Sequence, residues 1–211
     1  PGGAGSNPVG AIKMKIKQIK KIKKEMRILG IDDSYFDKRK SKECLVVGVI
    51  FRGAEFLDGL ISFYVTVDGD DATQKMIETI NKSKHKEQLS LIMINGIAVA
   101  GFNVIDIKEL AHGTGLPVIV VSRKKPRIEL IKSTLEKIGK KEKIVLIEKA
   151  GIAKELVFKN KRIYFQFYGI DEDKAREILL MSLKHGAIPE QLRIAHIIAT
   201  GITLGENRGR I

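Results

Sequence analysis

Arg-Ile-Leu-Gly-Ile-Asp, residues 27–32, is a short apolar run that closes on an acid, and it reads as a β-strand. Working outward, residues 44–51 (CLVVGVIF) are β-branched and continuous, the pattern of a central strand. Residues 60–67 (LISFYVTV) form a third strand, and the short intervening RGAEFLDG makes the pair an antiparallel hairpin. Asp68-Gly-Asp-Asp then offers N-cap chemistry for a helix over 72–82. A fourth strand, 89–94 (LSLIMI), exits through Asn95-Gly96, and a helix is expected over 103–113. PVIVV, 117–121, is a fifth strand, and Pro126 opens a helix to about 138 that Gly139 stops. Beyond it the pattern predicts a strand at 144–148, a hairpin turning at Lys159-Asn160-Lys161 into a strand at 163–168, and two closing helices, 171–185 and 189–205.

Three strands, then alternating helix and strand, imply an α/β protein with a mixed sheet, an antiparallel hairpin side and a parallel side, flanked by helices. The ribonuclease-H-like architecture has this order. Polar sites in such sheets lie at the carboxyl ends of parallel strands. The first and fourth strands end there on Asp32 and Asn95.

The net charge of +13 is concentrated. Residues 13–27 carry eight Lys and Arg against Glu25 alone, an arm that attracts polyphosphate backbones in a salt-sensitive way. A solvated Lys-rich segment of the kind thermophilic proteins carry is the alternative. No apolar run reaches the roughly 20 residues of a membrane helix, and no signal peptide is visible, so a cytoplasmic protein without a membrane partner is expected. The single cysteine, Cys44, sits in an apolar strand and reads as a small buried hydrophobe. Residues 1–13 read as a leader or appended sequence with Met14 as the natural start, 14–26 as a basic arm, and 27–211 as one domain. The oligomeric state is left open.

Strand alternation sends Asp32 and Asp33 to opposite faces, so at most one points into a shared site. A divalent metal is one reason for Asp32 at a strand end, and Mg²⁺ often takes only one or two protein carboxylates. Asp33 is either a turn cap or a neighbour of that site. Asp68, Asp70 and Asp71 are helix caps or a second carboxylate beside Asp32, and spacing does not choose. Asn103 reads as an N-cap with Asp106 in the first turn. His85, His112 and His185 look structural. His196 shares a helix face with Arg193 and Thr200. The tail around Arg208 and Arg210 is basic and Gly-rich, suited to phosphates or to fraying. No Walker, dinucleotide, zinc or nucleophile-elbow motif occurs.

The sequence resembles endonuclease V, and more closely its archaeal relatives, the endonuclease-V-like family proposed to cut deoxyuridine-containing DNA. Three patches carry the resemblance: Leu29-Gly-Ile-Asp-Asp; Ile94-Asn-Gly with Ala100-Gly-Phe-Asn-Val-Ile-Asp-Ile and Gly115-Leu-Pro-Val-Ile-Val-Val-Ser-Arg-Lys; and Ile188-Pro-Glu-Gln-Leu-Arg-Ile-Ala-His. The resemblance implies phosphodiester hydrolysis with Mg²⁺ or Mn²⁺, on DNA or alternatively RNA. It assigns Asp32 as primary metal ligand, Asp71 as second, Asn95 as a neutral ligand and His196 as a group near the metal. Arg123, Lys124 and Arg193 are then the residues for nucleic-acid phosphates.

Two departures bear on that expectation. Endonuclease V has Asp-Gly where this chain has Asn95-Gly96, and losing a charge near a divalent ion is worth several kcal/mol, at an effective dielectric of about 20. Asp68, Asp71 or Asp106 would have to compensate. Tyr64-Val-Thr-Val-Asp stands in place of the Tyr-x-Pro wedge, and Asp71 in place of a Glu ligand. The alternatives are a nucleic-acid-binding protein that kept the fold and lost the chemistry, or a small-molecule phosphoesterase.

Overall fold

A computed structural model describes residues 13–207. The leader and the Arg208–Arg210 tail therefore lie outside the described residues, Lys13 excepted. The strands are β1 (Arg27–Asp33), β2 (Glu43–Arg52), β3 (Phe56–Thr66), β4 (Leu89–Asn95), β5 (Ala98–Val99), β6 (Asn103–Val104), β7 (Val118–Ser122), β8 (Lys154–Phe158) and β9 (Lys161–Tyr168). The helices are α1 (Ala72–Lys82), α2 (Ile107–Thr114), α3 (Ile128–Lys137), α4 (Ile144–Lys149), α5 (Glu172–Ser182) and α6 (Glu190–Leu204).

Seven strands form one sheet in the order β3-β2-β1-β4-β7-β9-β8. The pairs β2–β3 and β1–β2 are antiparallel, while β1–β4 and β4–β7 are parallel. This is the expected ribonuclease-H-like mixed sheet, with one addition. The far edge is a second antiparallel hairpin, β8–β9, joined antiparallel to β7, so the parallel strands occupy the middle. Its turn places Lys159 and Asn160 in left-handed backbone (φ 46° and 60°), as a two-residue hairpin loop requires.

Alternation along β1 sorts its side chains between two cores. Leu29 and Ile31 join Met76 and Ile80 of α1 and Leu110 of α2. Ile28 faces the opposite layer with Ile178 and Leu179 of α5 and Leu192 of α6. Leu45, Val47 and Val49 of β2 meet Ala195 and Ala199 of α6.

Three local expectations are corrected. Residues 144–148 are not a strand but the helix α4: Ile147 packs with Leu135 of α3 and Val104, and β8 takes the sheet edge instead. The short apolar run IVLI carries no period that separates the two states. The helix expected from 103 begins at Ile107, because Asn103–Val104 pairs with Ala98–Val99 around Ala100 and Gly101, both at positive φ (48° and 88°). The turn region 52–59 is shorter than read: β3 starts at Phe56, and a register shift at Ile50/Phe51 absorbs the difference.

The connection before α1 is held by a buried lysine. Lys143, 2% exposed, donates to the carbonyls of Gly69 (2.5 Å), Phe102 (2.7 Å) and Asp68 (3.3 Å) and pairs with Asp70 (2.6 Å). Removing the ammonium strips the Gly69 and Phe102 carbonyls of this donor, while the Asp68 carbonyl keeps Lys140. Lys143→Met is expected to lower stability by on the order of 3 kcal/mol in urea denaturation; an unchanged midpoint would show that the carbonyls find water instead.

A candidate strand-end site of Asp32, Asn95 and His196

β1 and β4 run parallel and side by side, so their last residues are neighbours. Asn95 Nδ2 donates to Asp32 Oδ2 at 3.0 Å. His196 Nδ1, from α6, stands 3.0 Å from the same oxygen. Asp32 Oδ1 accepts the N–H of Asp33 at 3.0 Å. Asp32 is 2% exposed, so these contacts are made away from bulk water.

The approach of α6 rests on Gly30. A Cβ there would lie 2.5 Å from Gln191 Cβ and 2.7 Å from its carbonyl carbon. Only glycine lets the helix backbone come this near. The buried Gln191 Nε2 also donates to the Gly53 carbonyl at the hairpin turn, tying the same end of α6 to β2–β3.

Asp33 corrects the alternation argument. Its Oδ2 accepts the Ala100 N–H at 2.7 Å. Yet it closes the strand, and the cleft beyond reaches both carboxylates. Burial first, and the negative charge of Asp32 second, push its carboxyl up to about 7 against the pull of the Ala100 N–H. The imidazole of His196 is shifted up, chiefly by its hydrogen bond to Asp32, with partial burial and Arg123 opposing. Arg123 stands just past the end of β7, whose Val121 is the neighbour of Asn95 in the sheet. Arg123 and Lys124 are both exposed there. Gly96, at φ 84°, makes the sharp exit from β4.

Asp32, Asp33, Asn95, His196 and Lys38 line a cleft of about 580 Å³. Its remaining wall includes Tyr35, Phe36, Thr200 and Leu204. The apolar part of that wall was not anticipated from sequence. The available signal was an aromatic pair within four residues of the strand-end acid.

Asp71 does not join the site, contrary to expectation, and it is not among the residues lining the cleft. Its carboxylate accepts the Thr66 N–H (3.1 Å), the Thr66 hydroxyl (2.9 Å) and Asn103 Nδ2 (2.6 Å), and pairs with Lys75 (3.0 Å). Asn103 in turn caps α1 from another element, its Oδ1 accepting the Ala72 N–H. Asp106, not Asn103, caps α2 by accepting from Lys108 and Glu109. Asp68 accepts the Phe102 N–H. All three candidate compensating acids thus have structural partners. Arg193 is committed to Glu190 through Nε and Nη2, at 2.8 and 2.5 Å.

Among the described residues no group of three or more His, Cys, Asp or Glu is arranged to hold a metal ion. The cleft does offer two carboxylates, with Lys38 also in its wall, and the Asn95 amide would present its carbonyl oxygen after half a turn. This donor set suits a hard cation that keeps most of its water, such as Mg²⁺ or Mn²⁺, and not zinc.

Sheet order and strand-end cleft together define a protein with the endonuclease V type of ribonuclease-H-like fold. The chain belongs to the family described as Endonuclease dU, which it matches over residues 24–203. A UPF0215 protein of Methanothermobacter thermautotrophicus is 48% identical over 198 residues, covering 93% of this chain and 97% of that protein. A crystal structure of an Archaeoglobus fulgidus protein of unknown function is 35% identical with TM-score 0.74, over 83% of this chain and 97% of that one. Ciona intestinalis endonuclease V, in complex with a 24mer DNA containing an inosine followed by a ribo-adenosine, shares the fold at 14% identity and TM-score 0.54, over 81% and 82% of the two chains. No helix among the described residues is long and apolar enough to cross a membrane.

Two outcomes follow from this geometry. Gly30→Ala is expected to cost about 1–3 kcal/mol through overpacking and to break the His196–Asp32 contact; wild-type ring-nitrogen shifts at His196 would show that α6 tolerates the methyl. Burial raises the Asp71 carboxyl, but hydrogen bonds from Asn103, Lys75 and Thr66 outweigh it and hold the group at about 2, below its ordinary 3.8. A depressed carboxylate stabilises the fold above its unfolded value and loses that contribution as pH falls through the folded one. Asp71→Asn should therefore be less stable than wild type at pH 7 and show a shallower loss between about pH 4 and 2 in acid titration.

Proposed function

We propose that this protein is a divalent-metal-dependent endonuclease that hydrolyses phosphodiester bonds in DNA carrying deaminated bases, deoxyuridine or deoxyinosine. The observation that carries the reading is the meeting of Asp32, Asn95 and His196 at one carboxylate oxygen, at the carboxyl ends of parallel strands. Family membership points the same way.

Asp32 and Asp33 would hold the cation, with the Asn95 carbonyl as a neutral third oxygen. The bound cation supplies an activated water and charge stabilisation at the scissile phosphate. His196 is oriented through Nδ1 by Asp32, which leaves Nε2 to carry a proton for the departing oxygen. Arg123 and Lys124, exposed just past the end of β7, would meet backbone phosphates. The wall of Tyr35, Phe36 and Leu204 receives an extruded base, and damaged bases leave the stack at less cost.

One observation favours a second reading, a nucleic-acid-binding protein that does not cut. Asn95 brings no charge, and its Nδ2 already occupies the Asp32 oxygen.

The test is cleavage of oligonucleotides containing deoxyuridine or deoxyinosine with Mg²⁺ or Mn²⁺. Wild type is expected to cut, and Asp32→Ala to lose at least about a hundredfold in rate. Equal cleavage by both removes the proposed site. Binding without cleavage in either metal selects the second reading.

A further inference from the structure

The basic N-terminal segment lies at the end of the sheet opposite the cleft. Arg27 and Leu89, which begin β1 and β4, are paired there. The seven residues of β1 separate this end from Asp33 by about 20 Å. Residues 13–26 form a strap fixed along it. The Met14 N–H donates to the His112 carbonyl and the Lys17 N–H to the Gly115 carbonyl, both at 2.8 Å. Lys17 Nζ reaches the Leu89 carbonyl at 2.9 Å.

One residue in three turns inward. Ile16 packs on the α1/α2 side of the core, and Ile19 and Ile22 on the α5/α6 side. Lys15, Lys20, Lys21 and Lys23 between them are exposed. No ion pair to these four occurs among the described residues. The acids at this pole include Glu25, Glu55, Glu87 and Asp58, the last already paired with Arg27 and Arg52. Glu55 is drawn down by its bond to Lys184, with a weaker pull from Lys24.

We propose that this strap is a second nucleic-acid-binding surface, separate from the cleft, that grips the sugar-phosphate backbone without reading sequence. It deepens the proposed function by naming how the same partner is held away from the chemistry. Lysines are mobile point charges suited to phosphates at any register. The strap's backbone anchors reduce the ordering that binding would otherwise require. A bilayer is disfavoured as the occupant because the three isoleucines face the core, leaving no apolar wedge to insert. At opposite poles, the two surfaces take different stretches of a long substrate.

The experiment measures binding of undamaged duplex DNA to the full chain across a salt series, without metal, by fluorescence anisotropy. Replacing Lys15, Lys20, Lys21 and Lys23 together by Gln is expected to weaken binding about tenfold or more at ~100 mM salt and to flatten the log–log salt slope by about three. The four Lys→Arg replacements should retain wild-type binding, which separates lost charge from a displaced strap. Unchanged affinity and slope in the Gln variant overturn the proposal. So does strap-dependent capture by phosphatidylserine vesicles with DNA binding unaffected. Strap-dependent binding in a protein that never cleaves supports this inference while rejecting the nuclease reading.

Discussion

The close contact between β1 and α6 at Gly30 is the constraint on which the rest of the molecule depends. A strand packs against a helix backbone at this distance only where no Cβ intervenes, and Gln191 fills the space. The five residues from Gln191 to His196, about one and a half turns of helix, then carry the imidazole to the level of the strand end, where Asp32 faces the same side as Gly30. The rotation and height of α6 are set by apolar packing of Ala195 and Ala199 on β2. The imidazole–carboxylate contact is thus a consequence of core packing and not of a flexible loop, which is how a site keeps its geometry.

Charge balance explains the character of the cleft. A buried and a half-buried carboxylate, adjacent in sequence, share the cleft with one imidazole, one amide and the Lys38 side chain. The immediate cationic partner is a histidine whose charge depends on pH. Asp33 accordingly stays near neutrality's edge, at about 7, with burial and Asp32 as causes. Elsewhere the same residue type is saturated: Asp71, Asp106 and Asp58 each have several donors or cations, and Asp58 is drawn to about 2, first by Arg52 and then by Arg27. Asp33, with one hydrogen bond from Ala100 in the cleft, stands apart from acids in turns that hold several donors, and that contrast separates a reactive location from structural ones.

A second device supports the first. The loops before α1 and between β5 and β6 are tied together by Asp68, Asn103 and Lys143. Their unusual backbone, with Asp68 and Ala100 at positive φ, aims the Ala100 N–H at Asp33. Strain of this kind persists only where surrounding bonds over-determine it, and the buried lysine supplies four such contacts.

Periodicity and punctuation carried much of the architecture. The succession of the first five long strands, the hairpin, the limits of α1 and the strand-end positions of Asp32 and Asn95 were legible because strands alternate and helices need caps. The family resemblance, not spacing, singled out His196, since a lone helical histidine is ordinary. What sequence alone could not decide was everything set by partners distant in the chain. Asn103 looked like a cap for its own helix and caps another 31 residues earlier. Asp71 looked available and is consumed by three donors and a lysine. The run 144–148 had no period to separate strand from helix. The basic arm looked free, yet its every-third isoleucine seats it on the core. Local pattern determines which elements form, because propensity and capping act over a few residues. Which polar groups remain unspent for chemistry was decided only by tertiary structure, because hydrogen bonds and charge screening are shared among residues brought together by folding.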